Sequence, residues 1–269
     1  MAIRKIEEFN LAMKSITAGI DIIDQFQSDF SVKTKESLRD VVTQIDINIE
    51  SKIKDILKSS NHKIIGEESF VSGEHIGLEN ETFWVIDPID GTTNMVSGIP
   101  FYAISLGLIE KKKFELGAVA IPSQKELYFT FENKSCLNNR RLIVVPKKFE
   151  ESLNACAFSS KTDDLKRTLE YDVFGQINDS TRGCLRTGAA AVNICYVAAG
   201  KLQSAYGINN RIWDVAGALA VAYYAGANIY VEWKEDPSYI SYVVGVPGVA
   251  ENIVNLLQDK SLANLSLLK

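Results

Sequence analysis

One segment, residues 84–94 (WVIDPIDGTTN), restricts the possible folds of this 269-residue chain more than any other. Apolar, β-prone residues from 83 to 86 stop at Asp87 and Pro88, as a buried strand stops at a turn. The turn then supplies a second carboxylate, Asp90, three residues after the first. We therefore predict a buried strand that ends in two closely spaced aspartates.

The chemistry of this turn has two interpretations. Carboxylates three residues apart across a Pro-containing turn can converge on neighbouring hard cations such as Mg²⁺. Gly91 permits close approach of the backbone, and Thr92 and Thr93 can begin a helix whose free N–H groups hold a phosphate. Alternatively, Asp87 caps a turn and Asp90 is solvated, which is the commoner case for an isolated motif of this kind.

Two other segments place further acids after apolar runs. Residues 64–69 (IIGEES) put Glu67 and Glu68 at a predicted strand end, although two surface glutamates would be the simpler explanation of this segment alone. Residues 212–218 (IWDVAGA) put Asp214 at the head of an apolar helix, where it could be an N-cap. An N-cap and a metal ligand are not mutually exclusive.

The remaining sequence alternates helical and strand patterns. Apolar residues at helical spacing predict helices at 3–28 and 45–57 with a polar loop at 33–40, and apolar helices at 189–199 and 214–225 closed by Gly200 and Gly226. Strands are predicted at 83–86, 101–109, 116–121, 127–131, 142–145 and 153–158. We expect one compact unit of mixed α and β layers with halves at 1–145 and 146–269.

Composition excludes several classes of protein. With 29 Lys and Arg against 34 Asp and Glu, the formal charge is −5, so we predict no general attraction to nucleic acid or anionic lipid. The N-terminal residues lack a secretory apolar stretch, and no apolar run reaches the length of a membrane span. Four cysteines without CxxC spacing predict reduced, mostly buried thiols and a cytoplasmic protein. His62 and His75 are in no motif typical of a histidine nucleophile, and we predict that both are solvated.

Taken together, the motifs resemble a known family. GEES at 66–69, DPIDGTTN at 87–94 and WDVAGA at 213–218 occur in the order and approximate spacing of the inositol monophosphatase signatures. The similarity also covers residues 40–46, 137–141 and 188–199, and it weakens over the last 40 residues. The resemblance implies an α+β fold with α-β-α-β-α layers, a homodimer, and a magnesium-dependent, lithium-sensitive phosphatase.

The resemblance also implies how metal would be bound, with two to three Mg²⁺ ions. Glu67, Asp87 and the carbonyl of Ile89 would hold one ion, and Asp87, Asp90 and Asp214 would hold a second. Glu67 is further implied to contact a third, weaker ion.

Catalytic and substrate-binding roles follow from the same resemblance. Thr92, paired with Asp46, would orient and help deprotonate the attacking water beside Glu67, and Lys35 matches a family lysine near a metal loop. The implied phosphate and substrate contacts are Asp90, Gly91, Thr92, Thr93, Ser159, Gly188, Ala190 and Arg211.

The substrate is predicted less directly than the metal site. Gly207 occupies the position where inositol-specific relatives have a glutamate, while Asn209, Asn210 and Arg211 could bind a polyol or a second anionic group, or form a solvated turn. We rank a small phosphorylated metabolite such as inositol monophosphate or another sugar phosphate first. Fructose 1,6-bisphosphate and 3′-phosphoadenosine 5′-phosphate are alternatives. A regulatory relative that binds RNA or a transcription complex is a further one, against which the complete set of acids argues.

Overall fold

The computed structural model describes residues 2–30, 38–73, 75–159 and 164–268, and the side chains within them except those of 2–4, 27–30 and 38–43. Lys35 lies outside the described residues. The helices are α1 Ala2–Phe30, α2 Leu38–Leu57, α3 Thr92–Val96, α4 Asp164–Ser180, α5 Ala190–Ala198, α6 Ala216–Tyr224 and α7 Ala250–Asp259. The strands are β1 Lys63–Gly66, β2 Thr82–Asp90, β3 Ala103–Glu110, β4 Lys113–Ile121, β5 Glu126–Phe131, β6 Lys134–Leu137, β7 Arg140–Leu142, β8 Leu153–Ala157, β9 Gly183–Leu185, β10 Ser204–Arg211, β11 Asn228–Trp233, β12 Tyr239–Gly245 and β13 Ser266–Leu267.

These strands form two sheets. The first has seven strands in sequence order from β1 to β7, with β1 parallel to β2 and each later pair antiparallel. The second has six strands in the order β13-β11-β12-β10-β8-β9, in which β8 is parallel to both β10 and β9. The first sheet is therefore largely a meander, whereas the second needs crossover connections.

Helices cover these sheets to give five layers. Helices α1 and α2 pack on the outer face of the first sheet over a core that includes Ile16, Ile49 and Trp84, all fully buried. Helices α5 and α6 lie between the sheets, and α4 and α7 pack on the other face of the second sheet. The α-β-α-β-α architecture confirms the predicted fold class.

Paired glycines bring α6 very close to the first sheet. A Cβ atom on Gly117 of β4 would lie 2.0 Å from the carbonyl oxygen of Gly217, and one on Gly217 would lie 2.6 Å from the carbonyl oxygen of Leu106. A side chain at either position would therefore force the helix away from the sheet. This approach holds the start of α6, and Asp214 just before it, against β3 and β4 of the sheet whose strand β2 carries Asp87 and Asp90.

Several local predictions need correction. The predicted strand at 142–145 ends at Leu142, because Val144 donates its N–H to the carbonyl of Ala225 rather than to a neighbouring strand. His62 is half-buried rather than solvated, and its Nε2 lies 2.9 Å from Glu8 Oε1. His75 is exposed, as predicted.

The helix boundaries also differ from the prediction. Helix α2 begins at Leu38, inside the predicted loop, and α6 begins at Ala216 with Val215 as its N-cap, so Asp214 is not the capping residue. Helices α4 and α7 were not predicted, since their apolar positions are interrupted by many polar residues. Within the described residues, no helix is both long and apolar enough to cross a membrane.

Candidate active site

A one-residue bulge places Asp87 and Asp90 side by side. In the pairing of β2 with β3, Asp87 is opposite Ser105 and Asp90 is opposite Ala103, so β2 has one extra residue between them. Pro88 has no N–H to donate to β3, which favours an interruption of the ladder here. Residues three apart in a regular strand point to opposite faces, whereas the bulge turns both carboxylates to one face.

Four carboxyl groups meet at this bulge, those of Glu67, Asp87, Asp90 and Asp214, and we call them the acid cluster. The side chains of Glu67 and Asp87 are hydrogen-bonded to each other. The Asp90 carboxylate accepts N–H bonds from Ala190 at 3.2 Å and Ala191 at 2.7 Å. Helix α5 thus presents its first N–H groups to the cluster, as helix N-termini do for anions.

Burial raises the pKa of every carboxyl in the acid cluster, and repulsion between its members adds to the shifts of Asp87, Asp90 and Asp214. Burial, and then the charges of Glu67, Asp90 and Asp214, raise the pKa of Asp87 well above its ordinary value. Burial also raises the pKa of Asp90 to about 7, although the N–H groups of α5 oppose this shift. The pKa of Asp214 is raised by burial and by Asp90 and Glu67, while Arg211 acts in the other direction.

Glu67 differs from its neighbours in exposure. Glu67 is exposed when its whole surface area is counted. Protein atoms nevertheless surround its carboxyl group, and this desolvation raises the pKa of the carboxyl. Its backbone N–H donates to the carbonyl of Ile86 at 3.1 Å, which fixes the turn at residues 66–69 to β2. The cluster therefore has a solvent-facing side at Glu67 and a buried side at Asp87.

A second group of acids on α2 borders this turn. Asp46 is buried, and burial followed by the charges of Glu68, Glu67 and Glu50 raises its pKa to about 8. One helical turn later, Glu50 accepts the backbone N–H of Glu68 at 2.8 Å and pairs with Lys54 at 3.0 Å. Glu50 therefore connects α2 to the turn that contains Glu67.

The predicted phosphate loop follows β2 directly. Gly91 has a φ of +90° and is the N-cap of the short helix α3. The Thr92 hydroxyl donates to the carbonyl of Ile89 at 2.9 Å, whereas its predicted partner Asp46 has a buried Oδ1 without a hydrogen-bond partner. Thr93 is exposed. In this structure the Ile89 carbonyl thus accepts a hydrogen bond from the residue predicted to orient water.

Asn94 joins this loop to the start of α5. Its Nδ2 donates to the carbonyls of Phe101 at 2.7 Å and Thr187 at 2.9 Å. Gly188 lies against the same amide, with a φ of +88°. The predicted contact residues Gly188 and Ala190 are therefore close to α3, and the latter touches Asp90 through its backbone.

The remaining predicted substrate residues have different environments. The hydroxyl of buried Ser159 is bonded to Glu170 and, at 2.9 Å, to the carbonyl of Ile208, so its described hydrogen bonds do not involve the acid cluster. The guanidinium of Arg211 lies 4.0 Å from the Tyr239 ring centroid and donates to Ser238 Oγ at 2.9 Å. Its charge lowers the pKa of Asp214 and Glu67, which places a fixed cation beside the cluster.

The donor set fits a hard divalent cation. Every donor in the acid cluster is oxygen, and Asp87 Oδ1 is buried without a hydrogen-bond partner. A cation would relieve both the repulsion and this unsatisfied oxygen. Across the described ranges, no three Asp, Glu, His or Cys side chains are arranged around one point at ligand spacing. Asp90 is directed to the N–H groups of α5, and Glu67 is bonded to Asp87.

Two described cavities, of about 490 and 500 Å³, lie elsewhere on the molecule. One is lined by residues of α4, β10 and β11, and the other by residues of α1, β4 and β5. Neither is lined by Asp87, Asp90 or Asp214, so the candidate site is located by its chemistry rather than by cavity size.

Sequence reasoning missed Glu50, Asn94 and the N–H of Ala191. Glu50 could have been found, because it lies four residues after Asp46 and shares its helix face. The other two could not, since their contacts join segments 93 and 101 residues apart in the chain.

The five-layer fold with buried carboxylates at a strand end defines the class, that of the layered α+β phosphatases. The chain belongs to the inositol monophosphatase family, whose signature it matches over residues 3–259. It is 33% identical over 214 residues to inositol monophosphatase 1 of Bos taurus, covering 78% of this chain and 77% of that protein. Membership supports a phosphatase of this fold.

Two further relatives show the breadth of the family. The chain is 30% identical over 252 residues to Nus factor SuhB of Pasteurella multocida (strain Pm70), covering 90% of each protein. The crystal structure of inositol monophosphatase-II from Staphylococcus aureus MSSA476 superposes with a TM-score of 0.76 at 26% identity, covering 92% of this chain and 94% of that one. Similar proteins therefore include both named inositol monophosphatases and a protein named as a Nus factor.

Proposed function

We propose that this protein is a magnesium-dependent phosphomonoesterase acting on inositol monophosphate or a related small sugar or polyol phosphate. The observation that supports this most directly is the acid cluster, in which Asp87 Oδ1 is buried without a partner. Four carboxyl groups that raise one another's pKa or share hydrogen bonds are an electrostatic cost in a protein that binds no cation. Cations bound by the acid cluster would neutralise this repulsion, which would explain why these four acids lie together.

The residues that would hold metal are those of the acid cluster together with one carbonyl. Glu67, Asp87 and the carbonyl of Ile89 would hold one Mg²⁺, and Asp87, Asp90 and Asp214 would hold a second. Glu67 would contact a third, weaker ion. When bound, magnesium supplies Lewis-acid chemistry, since it lowers the pKa of bound water and neutralises phosphate charge.

The chain's own groups would orient the reactants. The unpartnered Oδ1 of Asp46 would accept a proton once this carboxyl is ionised, and its pKa, raised to about 8, lies close to neutral pH. The Thr92 hydroxyl would turn from the Ile89 carbonyl towards Asp46 and the attacking water. Backbone N–H groups of Gly91, Thr92 and Thr93 at the start of α3 would bind phosphate oxygens, and Gly188 and Ala190 would contact the substrate beside them.

Arg211 and Ser159 are the proposed substrate-side residues of the second half. Ring contacts hold Arg211 in place, so its cation can contact a substrate anion with little loss of side-chain freedom. Ser159 would act indirectly through its contact with β10.

A second candidate function is regulatory. The relative named Nus factor SuhB is similar over 90% of this chain, which supports a partner-binding role in transcription alongside or instead of catalysis. Retention of the whole acid cluster favours catalysis as at least one of the functions.

Other features of the proposal rest on the sequence patterns or on the family resemblance. They are a cytoplasmic homodimer, inhibition by lithium, and two halves at 1–145 and 146–269, of which the first supplies most of the metal ligands. Sedimentation of the purified protein tests the dimer, and inhibition of phosphate release by LiCl but not KCl tests the lithium site.

Phosphate release tests the proposed function. Purified protein is incubated with inositol 1-phosphate, fructose 1,6-bisphosphate, other sugar phosphates and 3′-phosphoadenosine 5′-phosphate, with and without MgCl₂. We expect magnesium-dependent release from a small sugar or polyol phosphate. Release that is equal with and without magnesium contradicts the metal role, and preference for a nucleotide contradicts the substrate class.

A further inference from the structure

The last strand of the first sheet leads into an exposed segment, residues 140–148, which we call the edge segment. Strand β7 is at the end of the strand order and, among the described strands, pairs only with β6. Leu142 and Val144 are buried. Ile143 and Val145 alternate with them and are 65% and 72% exposed. This alternation is that of an extended chain with one buried side and one side that faces solvent.

The backbone of the edge segment has hydrogen-bonding groups on its outer side. The N–H of Val144 donates to the carbonyl of Ala225 at 3.0 Å, which fixes the segment to the end of α6. Successive N–H groups of an extended chain point to opposite sides, so those of Ile143 and Val145 point away from Ala225. Neither N–H has a backbone partner in the part of the chain that the structure describes. A further strand could therefore pair with the segment here.

Four cations flank the two exposed apolar residues. Arg140 and Arg141 precede them, and Lys147 and Lys148 follow them. The edge segment contains no acid, although the whole chain has a net charge of −5. Within the described ranges, none of these four side chains is in an ion pair. Their charges are therefore available to a partner of opposite sign.

Two other kinds of partner fit this surface poorly. In antiparallel pairing of two copies of the edge segment, the arginines of each copy would lie opposite the lysines of the other, and like charges in such positions are destabilising. Pro146 lacks an N–H and would interrupt that ladder. Single-stranded nucleic acid stacks on aromatic side chains, whereas the edge segment exposes aliphatic ones. Cations and a proline protect an edge without apolar residues, so Ile143 and Val145 need another explanation.

We propose that the edge segment is a docking surface for an acidic, extended segment of a partner protein. The partner would add as a strand to the first sheet beside residues 143–145. Its apolar side chains would cover Ile143 and Val145, and its acidic ends would pair with the flanking cations. Strand β7 is five strands from β2, about 24 Å at ordinary strand spacing, so this surface is separate from the acid cluster and does not depend on the proposed catalysis.

Fluorescence anisotropy with a labelled model peptide tests this proposal. The acidic probe is a short synthetic peptide with alternating valine and threonine at its centre and glutamate at both ends. The basic probe has lysine at both ends instead. We expect saturable binding of the acidic probe and at least about tenfold weaker binding of the basic probe. Methylation of alternate amide nitrogens in the acidic probe should abolish binding, because strand pairing needs those donors. Absence of saturable binding, or equal binding of both probes, overturns the docking surface.

A double variant tests the apolar contacts. Ile143→Thr combined with Val145→Thr should weaken binding of the acidic probe about tenfold, because threonine keeps the preference for extended structure but removes apolar area. The matched control is Val71→Thr combined with Leu165→Thr, at residues that are 69% and 70% exposed. This control should bind as wild type. Equal binding by the two double variants would show that Ile143 and Val145 are not contact residues, and would overturn the proposal.

A charge-reversed variant tests the sign of the partner. Arg141→Glu combined with Lys148→Glu should bind the basic probe more tightly than the acidic one, a saturable gain that loss of folding cannot produce. The thermal midpoint and any phosphate release should match wild type, because neither residue belongs to the acid cluster or to the loop after β2. Labelled oligouridine RNA is the competing ligand. Binding of this RNA without binding of the acidic probe would make the surface a nucleic-acid site and overturn the proposal.

Discussion

At the scale of single residues, the acid cluster is destabilising without metal. Asp87 and Asp90 are almost fully buried, and in addition to the effect of burial the charge of Asp90 raises the pKa of Asp87, while the charge of Glu67 raises that of Asp90. The N–H groups of α5 offset this cost only for Asp90. We therefore expect the metal-free protein to keep protons that the unfolded chain releases.

Asp90→Asn separates folding from metal binding. The substitution keeps the volume and removes the ligand charge, so we expect a folded protein that loses magnesium-dependent phosphate release and the thermal stabilisation by MgCl₂. Thermal unfolding with and without the salt measures both the fold and the response. Asp172→Asn, at an exposed ion pair with Lys260, is the control and should behave as wild type. Full activity in Asp90→Asn would exclude this residue as a required ligand.

The raised pKa values predict how stability depends on pH. In the folded protein the pKa of Asp90 is raised from 3.8 to about 7, and that of Asp46 from 3.8 to about 8. Between about pH 4 and 8 the folded state therefore binds more protons than the unfolded state. The contribution of these two groups to the free energy of unfolding is therefore complete below about pH 4 and is lost as the pH rises through 7 and 8.

Thermal unfolding of metal-free protein from pH 5 to 8.5 tests this dependence. The midpoint should fall with rising pH, and the stabilisation by MgCl₂ should grow, because metal competes with the retained protons. A midpoint that rises across this range would contradict the assigned shifts.

At the scale of elements, α2 and the turn at residues 66–69 act as one unit. Glu50 accepts the N–H of Glu68, and Gly66 leaves room for that carboxylate, because a Cβ there would lie 2.3 Å from Glu50 Cδ. We expect Glu50→Gln to loosen the turn and raise the magnesium concentration needed for half-maximal activity several-fold. The reason is that Glu67 would be less firmly positioned.

Asp55→Asn is the matched control for this prediction. Asp55 on α2 pairs with Lys58, the residue directly after this helix, but the pair is exposed. Exposed pairs contribute little to stability, so this variant should keep the wild-type magnesium requirement. Equal magnesium requirements in Glu50→Gln and Asp55→Asn would show that Glu50 does not position the turn.

The elements also show what the sequence could predict. Strand-then-acid patterns located Glu67, Asp87 and Asp90, because short apolar runs that end in turns are visible locally. The bulges in β2 and β10 were not visible, since a bulge is defined by pairing with another strand. The structure places Asp214 in the acid cluster, and the alternative that it caps α6 is wrong by one residue, because the N-cap is Val215.

At the scale of the whole molecule, the close approach of α6 to the first sheet joins the two parts of the site. We expect Gly117→Ala to destabilise the protein by about 1–3 kcal/mol, as overpacking does, and to weaken magnesium binding because Asp214 moves with α6. Urea unfolding and magnesium titration measure these effects. Gly175→Ala on α4, where a Cβ meets nothing within 4 Å, is the control and should not destabilise. A stable Gly117→Ala with normal magnesium affinity would contradict this account.

At this scale the order of the layers could be predicted from the sequence, whereas the contacts that join the layers at the site could not. Alternating helical and strand patterns indicated mixed layers, and the family motifs indicated their order. The N–H groups of α5 and the Asn94 amide reach the cluster only through tertiary packing, so no local pattern reports them.

The central claim is that the acid cluster holds magnesium for phosphomonoester hydrolysis. The most direct test is phosphate release from inositol 1-phosphate by metal-depleted protein as MgCl₂ is added, with Asp87→Asn alongside. We predict that release is absent without metal, rises and saturates with magnesium in the wild type, and stays absent in the variant. Release by metal-depleted protein, or wild-type behaviour in Asp87→Asn, would contradict the claim.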